Sequence, residues 1–405
     1  MRRYAVILCD GMADRPLDVF GGKTPMAVAD KPNMDRLAAL GRVGRMNTLY
    51  PQLPYGSDVA NLSILGSDPR TCYTGRSPVE ALGLGISLED SDMVFRMNLI
   101  NIGGSEVFED CTIVDHSADK ITTEEAAELV EALREHFENE KVKIHLGVSY
   151  RHCFILKDSK SWSGDLTPPH DVLGDRVGDH MPTGDLAAEF ADMMKKAWKL
   201  LSDHPVNRAR EAKGLRPANC LWLWGAGGKP AYVPFKERYG VEKGMMITAV
   251  PLIMGLGAGL GLDYCTVEGA TGDYYTNYAG KAAAAIDALE KGYQFVFIHV
   301  EAPDECGHDG DAELKKASVE QIDRHIVGPV EAWLKASGEP YRMLITPDHA
   351  TPIAVRTHTG EDIPFVLYDS ELDVPCDVHE FTEAACEKSG LYYPDGYKLM
   401  ADFIG

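Results

Sequence analysis

The residues with the clearest chemical potential lie in the last third of this 405-residue chain. Asp304 and His308 are four residues apart, a spacing that places both side chains on one face of a helical turn. Asp348 and His349 follow an apolar run, where a strand would end, and His358 comes soon after. Carboxylates and imidazoles together suit Zn²⁺ or Mn²⁺, and five such groups exceed what one ion needs. The set therefore predicts an enzyme with two divalent metals rather than ordinary loop acids and histidines.

A candidate nucleophile occurs near the start of the chain, in the motif Gly56-Ser57-Asp58. Ser57 is placed to begin a helix whose apolar face carries Leu62 and Leu65. The positive end of the helix dipole and its free N–H groups lower the cost of an alkoxide and of a phosphorylated product. A bound metal would lower the pKa of the hydroxyl further. A plain N-cap serine is the alternative for Ser57 taken alone, but beside a two-metal set the nucleophile is favoured.

Composition limits the class of protein. Hydrophobic residues make up 45% and charged residues 25% of the chain, as in ordinary globular proteins. The formal charge of −22 argues against general binding to nucleic acid or anionic membranes, although a small anionic substrate remains compatible with it. Nine cysteines without a Cys-x-x-Cys motif indicate a reducing compartment. Because the apolar stretches are too short for a signal peptide or a membrane span, we expect a cytoplasmic protein; its oligomeric state stays open.

Apolar runs alternate with helical patterns, which predicts an α/β fold with a doubly wound sheet. The runs typical of buried parallel strands lie at 4–9, 294–300, 341–346 and 363–368. Helices are predicted over 280–291 and 314–334, whereas the glycines between 255 and 261 indicate a loop or close packing. Reactive groups gather beyond the carboxyl ends of such strands, and Asp10 directly follows the first run.

The middle of the chain has a different pattern. Its predicted elements are a strand at 95–102, a helix opened by the capping box Thr122-Thr123-Glu124-Glu125, a loop over 161–184 and a helix over 185–201. The candidate metal ligands occur only before about residue 76 and after about residue 300. We therefore expect a discontinuous metal-binding domain, 1–76 plus 246–405, interrupted by a smaller inserted α+β substrate-binding domain, 77–245.

The motifs, in their order along the chain, resemble those of the alkaline phosphatase superfamily. They are Asp10-Gly11, Gly56-Ser57-Asp58, Asp304-x-x-x-His308, Asp348-His349 and His358. More closely, the chain resembles the archaeal-type cofactor-independent phosphoglycerate mutases, with further matching stretches at 113–117, 267–272 and 276–281. The similarity runs from residue 4 to about residue 368 and implies an alkaline-phosphatase-like domain with an insertion.

The resemblance implies a role for each matching residue. Asp10, Ser57, Asp348 and His349 would hold one metal, while the second would be held by Asp304, His308 and His358. Ser57 would be the nucleophile and form a phosphoserine intermediate. The two ions would be Mn²⁺ or Zn²⁺, with Mg²⁺ as a third option. Where the family usually carries histidine, this chain has Asn61, which can orient a neighbouring group.

A mutase must also hold the dephosphorylated glycerate while it turns, and the inserted domain should supply part of that site. The candidates for substrate binding are His116, Arg151, His152, Asp171, Arg208 and Arg210. Arginine forks match carboxylate and phosphate groups, although solvated surface side chains are the alternative. Asp171 is the expected general acid/base for the glycerate hydroxyl. Lys281 matches a family lysine that neutralises phosphate charge, whereas His170 and His299 are expected to be structural or solvated.

The favoured hypothesis is interconversion of 3-phosphoglycerate and 2-phosphoglycerate without bisphosphoglycerate, with domain closure excluding water. A rival comes from the segment 207–225, including Trp222 and Trp224, which resembles a bacterial subgroup proposed to act as a homoserine kinase. A metal-dependent phosphatase would use the same site. A binding protein with a structural metal is the alternative from outside the enzymes, and the complete ligand set with its serine argues against it.

Overall fold

A computed structural model describes residues 2–372 and 377–405 of the protein. The chain divides into two compact units. One unit comprises Met1–Tyr73 and Ala231–Gly405, and the other comprises Thr74–Pro230. The boundaries between the units lie at 73/74 and 230/231. The domain boundaries predicted from the sequence, 76/77 and 245/246, both lie further along the chain.

The elements alternate along the chain much as the apolar pattern predicts. The strands are β1 (Arg3–Cys9), β2 (Arg42–Met46), β3 (Met93–Gly103), β4 (Thr112–Asp115), β5 (Val142–Val148), β6 (Arg151–Leu156), β7 (Cys220–Gly228), β8 (Gly244–Ile247), β9 (Asp263–Cys265), β10 (Phe295–Val300), β11 (Tyr341–Thr346), β12 (Ile363–Asp369) and β13 (Tyr392–Tyr393). The helices are α1 (Pro25–Val28), α2 (Pro32–Leu40), α3 (Ser57–Ile64), α4 (Pro69–Cys72), α5 (Arg76–Gly83), α6 (Thr123–Phe137), α7 (Ala187–Ser202), α8 (Pro205–Ala212), α9 (Phe235–Tyr239), α10 (Pro251–Gly259), α11 (Tyr278–Glu290), α12 (Ala302–Asp309), α13 (Ala312–Ile322), α14 (Gly328–Ser337), α15 (Glu383–Lys388) and α16 (Leu399–Ile404).

The first unit is built on a sheet that has eight strands within the described residues, in the order β13-β2-β12-β11-β1-β10-β8-β9. Strand β1 pairs in parallel with both β10 and β11, and β8 extends the parallel set. Strand β12 runs antiparallel to β11 and β2. The expectation of a parallel strand at 363–368 is therefore wrong in direction, because a continuous apolar run records burial on both faces and not strand direction.

Helices cover both faces of this sheet, which confirms the predicted doubly wound α/β class. Alternate residues of β1 point to opposite faces. Ala5 and Ile7 belong to a core cluster that includes residues of α2, α11 and α14. Tyr4 packs instead against Phe403 of α16, with ring centroids 5.7 Å apart. This layering leaves the carboxyl ends of the central strands as the place where polar loops can meet.

Two helical predictions need refinement. Of the alternatives for the glycines between 255 and 261, the loop is wrong, because most of them lie within helix α10. Close packing holds at Gly257, where a Cβ atom would lie 2.6 Å from Met246 Cγ. Burial of Leu252, Ile253 and Leu256 outweighs the low helix propensity of glycine there. The helix predicted over 314–334 is confirmed as one continuous helical stretch, but a π-helical segment, Asp323–Val327, separates α13 from α14 within it.

The second unit is an α+β body. Its described residues form a five-stranded sheet, β4-β3-β6-β5, with β7 paired to β3, and all of these pairings are antiparallel. The N-cap half of the predicted capping box is present, because Thr122 Oγ1 accepts a hydrogen bond of 3.2 Å from the backbone N–H of Glu125. The Glu125 carboxylate pairs with Arg210. Trp222 is buried in the core of this unit.

Two chain-wide observations bear on the sequence predictions. The eight cysteines within the described residues are free thiols, while Cys376 lies outside those residues. Among the described helices none is long and apolar enough to cross a lipid bilayer.

A strained turn follows β4. Ala118, Asp119 and Lys120 have φ angles of 47°, 54° and 52°, in the left-handed region. This conformation costs a non-glycine residue about 1–2 kcal/mol, so the surroundings must hold the turn in place. The Asp115 carboxylate accepts hydrogen bonds from the backbone N–H groups of Ser117 and Asp119, at 2.8 and 2.7 Å.

Arg210 of α8 holds the same turn from inside the unit and is only 2% exposed. Its guanidinium donates to the carbonyl oxygens of Ala118 at 2.5 Å and Arg216 at 3.0 Å. It also forms an ion pair with Glu125. Each of the three guanidinium nitrogens therefore has an internal partner.

Replacing Arg210 should destabilise the second unit, whereas replacing its neighbour Arg208 should not. Arg210→Met leaves buried carbonyls without donors and removes the ion pair, so we expect a loss of about 3 kcal/mol in the free energy of unfolding. Arg208→Met is the matched control, because that exposed side chain donates to the Asp203 carbonyl and lies 4.0 Å from the exposed Asp203 carboxylate; its cost should stay below about 1 kcal/mol. Urea unfolding followed by tryptophan fluorescence suits this test, since four of the five tryptophans lie in Thr74–Pro230. Equal losses in the two variants would contradict the expectation.

Candidate metal centre and nucleophile

Three neighbouring parallel strands deliver carboxylates to one edge of the eight-stranded sheet. Asp10 follows β1, Asp348 follows β11, and Asp304 lies in α12 directly after β10. Because β1 pairs with both other strands in parallel, their carboxyl ends meet. All three side chains are buried.

Gly11 allows these loops to approach each other. Its φ of 61° favours glycine, and a Cβ atom there would lie 2.5 Å from Asp304 Oδ1. Its backbone N–H donates to Asp348 Oδ1 at 3.1 Å. Any side chain at position 11 would therefore push the carboxylates apart.

One candidate metal group consists of Asp304, His308 and His358. The Nε2 atoms of the two histidines are 3.1 Å apart and lie 3.2 and 3.5 Å from the Asp304 carboxylate oxygens. Their Nδ1 atoms lie 3.0 Å from the carbonyl oxygens of Arg356 and Tyr55. Since those carbonyls accept from Nδ1–H, both Nε2 atoms converge on the carboxylate, the usual arrangement of histidine ligands.

The electrostatics of this group follow from its close contacts. The hydrogen bond to Asp304 raises the pKa of His308 to about 9. Burial disfavours protonation of His358, but its hydrogen bond to Asp304 outweighs that effect and raises its pKa. Burial alone would raise the pKa of Asp304, yet the two histidines hold it well below its usual value. In the metal-free protein the protonated His308 therefore balances the charge of the Asp304 carboxylate, a role that a bound cation would take over.

The second candidate metal group consists of Asp10, Asp304 and His349. His349 Nε2 lies 3.5 Å from Asp10 Oδ1 and 3.3 Å from Asp348 Oδ2. Asp10 Oδ1 is buried and has no hydrogen-bond partner among the described residues. Burial, followed by repulsion from Asp348 and Asp304, raises the pKa of Asp10 well above its usual value. An unpartnered carboxylate oxygen in such an acidic setting fits a cation ligand.

Ser57 is the first residue of α3, with Gly56 in the N-cap position. Its Oγ lies 3.1 Å from His349 Nε2. The structure thus brings the predicted nucleophile to the second metal group, and the plain N-cap alternative does not hold because another residue occupies that position.

Asn61, one helical turn after Ser57, orients the acid beside it. Its Nδ2 donates to Asp348 Oδ2 and to the Ser57 carbonyl oxygen, both at 2.9 Å. This geometry agrees with the expectation that an asparagine here can position a neighbouring group.

Lys281 and His299 lie behind Asp10. His299 is fully buried, with Nε2 2.8 Å from Asp10 Oδ2 and Nδ1 3.1 Å from the Thr248 hydroxyl. Lys281 Nζ donates to the His299 carbonyl oxygen at 2.8 Å, and burial lowers its pKa to about 8. Sequence reasoning missed the contact between His299 and Asp10. A polar residue on an otherwise apolar strand was the available signal, because a buried imidazole needs partners.

Thr351 is a second residue that sequence reasoning missed. Its hydroxyl contacts Asp304 Oδ1 closely and lies 3.2 Å from His349 Nδ1. It follows the Asp348-His349 motif by two residues, and spacing alone gave no reason to single it out.

In the second unit, some predicted substrate residues lie near one another. The His116 ring packs against Tyr150 and His170, with centroids 5.6 and 6.0 Å away. The Arg151 guanidinium lies 5.5 Å from the Tyr150 ring centroid. The exposed Asp171 carboxylate is 3.6 Å from His170 Nε2. His116 Nδ1 is buried without a partner among the described residues, so this surface offers both an imidazole and a guanidinium for a polar ligand.

The remaining candidates are placed differently. Arg210 is committed to the left-handed turn, and Arg208 donates to the Asp203 carbonyl at the unit's surface. His152 is 4% exposed, and its Nδ1 accepts from the Gly147 N–H at 3.2 Å. Burial lowers the pKa of His152 to about 3.

The buried His152 predicts acid sensitivity. The unfolded chain takes up a proton at this histidine below pH 6.5, its ordinary value, while the folded chain does not until about pH 3. Between pH 7 and pH 5 this difference should remove about 2 kcal/mol of stability. His152→Asn keeps an acceptor for Gly147 and should lose correspondingly less over that interval in fluorescence-detected urea unfolding. Identical pH dependence in the two proteins would refute this explanation.

Comparison with known proteins identifies the family to which this geometry belongs. The family model of 2,3-bisphosphoglycerate-independent phosphoglycerate mutase matches residues 38–207. A protein of that name from Methanosarcina barkeri is 43% identical over 403 residues, covering 100% of this chain and 98% of the relative. A probable 2,3-bisphosphoglycerate-independent phosphoglycerate mutase from Geobacter sulfurreducens is 42% identical, covering 98% of both chains.

Solved structures agree with the sequence comparison. A Pyrococcus horikoshii protein superposes with a TM-score of 0.82 at 30% identity, covering 100% of this chain and 97% of its own. The cofactor-independent phosphoglycerate mutase from Thermoplasma acidophilum superposes with a TM-score of 0.71 at 26% identity, over the full length of both chains. The chain therefore belongs to the 2,3-bisphosphoglycerate-independent phosphoglycerate mutases.

Proposed function

We propose that this protein interconverts 3-phosphoglycerate and 2-phosphoglycerate through a phosphoserine at Ser57, beside two divalent metal ions. The observation that carries the proposal is the 3.1 Å approach of Ser57 Oγ to His349 Nε2, inside a cluster with two candidate metal groups. Full-length similarity to proteins named as such mutases supports the choice of reaction.

The donor atoms fit two ions. In the proposal, Asp304, His308 and His358 hold one, and Asp10, Ser57, Asp348 and His349 hold the other. Mixed imidazole and carboxylate donors favour Mn²⁺ or Zn²⁺ over Mg²⁺. Bound divalent cations would lower the pKa of the serine hydroxyl and offset the charge of the transferring phosphoryl group.

The protein's own groups prepare Ser57 for attack. Its position at the first turn of α3 would set backbone N–H groups and the positive end of the helix dipole beside a phosphoryl group on its hydroxyl. Asn61 holds the Asp348 carboxylate and the backbone carbonyl of Ser57 in a fixed relation. Lys281, buried behind Asp10, contributes positive charge that partly offsets the acids.

The second half-reaction returns the phosphoryl group to the other hydroxyl of glycerate. In the proposal, His116 and Arg151 of the second unit bind the glycerate, and Asp171 acts as general acid/base. Arg151 suits a carboxylate because its guanidinium is not tied to a described carboxylate, unlike that of Arg210. Arg208 remains a candidate at the exposed surface, while Arg210 serves the fold.

The test is turnover of 3-phosphoglycerate by the purified full-length protein, without nucleotide or bisphosphoglycerate. Ser57→Ala should lower kcat by about 10³-fold or more, because the nucleophile is lost. Ser63→Ala, a buried serine on another face of α3, is the matched control and should keep turnover. Removing divalent ions with a chelator should abolish activity, and adding Mn²⁺ or Zn²⁺ should restore it.

The same experiment separates the rival functions. Acid-quenched enzyme analysed by mass spectrometry should carry phosphate on Ser57, and homoserine with a phosphoryl donor should give no product. Release of inorganic phosphate without 2-phosphoglycerate would indicate a phosphatase instead. Full mutase activity in Ser57→Ala would eliminate the proposed mechanism.

A further inference from the structure

Thr351 lies between ligands of both candidate metal groups. Its Oγ1 contacts Asp304 Oδ1 and lies 3.2 Å from His349 Nδ1. The residue is fully buried. Asp304 belongs to both candidate groups and His349 to only one, so this hydroxyl links the two groups through a single oxygen atom.

The number of protons that Thr351 and its two partners can donate fixes the direction of both hydrogen bonds. An ionised carboxylate can only accept, so the single hydroxyl proton of Thr351 points to Asp304. Oγ1 must then accept from His349 Nδ1–H. This tautomer leaves a lone pair on His349 Nε2, the atom that faces Asp10 Oδ1 and Ser57 Oγ. Thr351 therefore sets the orientation of an acid and the tautomer of an imidazole together.

The surroundings lock Thr351 in place. Its carbonyl oxygen accepts from the buried Lys315 Nζ at 2.8 Å, and its N–H donates to the Ala13 carbonyl at 3.3 Å. On the third side, a Cβ on Gly307 would lie 2.5 Å from the Thr351 carbonyl oxygen and 2.8 Å from its Cγ2. The glycine at 307 thus lets helix α12, which carries Asp304 and His308, rest directly on Thr351.

We propose that Thr351 is a positioning residue that couples the two metal positions. Asp304, His308 and His358 would hold one ion, and the Thr351 hydroxyl connects the Asp304 carboxylate to His349 at the other position. Filling either position would order this chain of contacts and so lower the cost of ordering the other position. Because coupling is reciprocal, each ion would strengthen binding of the other. The inference rests on the proposed two-metal function. It adds a residue that makes binding of the two ions cooperative.

Two substitutions separate the hydroxyl from the shape of the side chain. Thr351→Ser keeps the hydroxyl, whereas Thr351→Val keeps the volume and removes it. Metal-free full-length protein is titrated with Co²⁺, followed by visible absorption and calorimetry. Wild type and Thr351→Ser should bind two ions in one cooperative transition. Thr351→Val should bind one of them about 10- to 100-fold more weakly, with cooperativity lost.

A second measurement uses wild-type protein alone and so does not depend on whether a variant folds. Nitrogen-15 NMR of the histidine side chains should show His349 protonated at Nδ1 in the metal-free protein. The Nε2-protonated tautomer would overturn the inference, and so would wild-type affinities in a folded Thr351→Val protein. Wild type that binds fewer than two ions would instead remove the two-metal function on which the inference rests.

Discussion

The site depends on one physical constraint. Several carboxylates are buried close together at one edge of the eight-stranded sheet. Asp10, Asp304 and Asp348 are almost completely buried, and Glu301 lies close to them. Burial, with repulsion from Asp304 next, raises the pKa of Glu301 to about 7. Isolated ionised groups in such a setting are costly, so they must be protonated, paired or bound to cations.

The fold meets this constraint mainly with backbone geometry and neighbouring cations. Parallel pairing of β1 with β10 and β11 sets the spacing of the three aspartates. Backbone N–H groups, such as that of Gly11, and the histidines then satisfy part of the negative charge. Lys281 and Lys315 are buried lysines whose pKa values are lowered by burial, yet both lie near these acids. Asp10 Oδ1, which has no hydrogen-bond partner among the described residues, belongs to the second candidate metal group.

The parts of the site that sequence could reveal are those in which residue type and local spacing determine the chemistry. Asp304 and His308 share a helical face, and the apolar runs before Asp10 and Asp348 are strands. The local sequence was enough to predict these two features. His299 and Thr351 could not, because their importance arises from contacts between segments far apart in the chain. The direction of β12 could not be predicted either, because a continuous apolar run indicates burial on both faces and is the same for parallel and antiparallel strands.

The second unit shows a related limit. Arg208 and Arg210 have the same residue type two positions apart, and the sequence offered both as substrate ligands. Only the tertiary structure separates them, because one faces solvent while the other holds a left-handed turn whose strain is not visible in residue types. For Asn61, by contrast, the residue type was informative. The sequence predicted that its amide would orient a neighbouring group, and it donates a hydrogen bond to Asp348.

The central claim is that Ser57 lies against a pair of cations held by these acids and histidines. Anomalous diffraction from crystals of the Mn²⁺-loaded full-length protein, recorded on both sides of the manganese absorption edge, tests it most directly. We predict two peaks, one bonded to Nε2 of His308 and His358 and the other to Asp10 and His349, within reach of Ser57 Oγ. A single peak, or two peaks away from Ser57, would contradict the account.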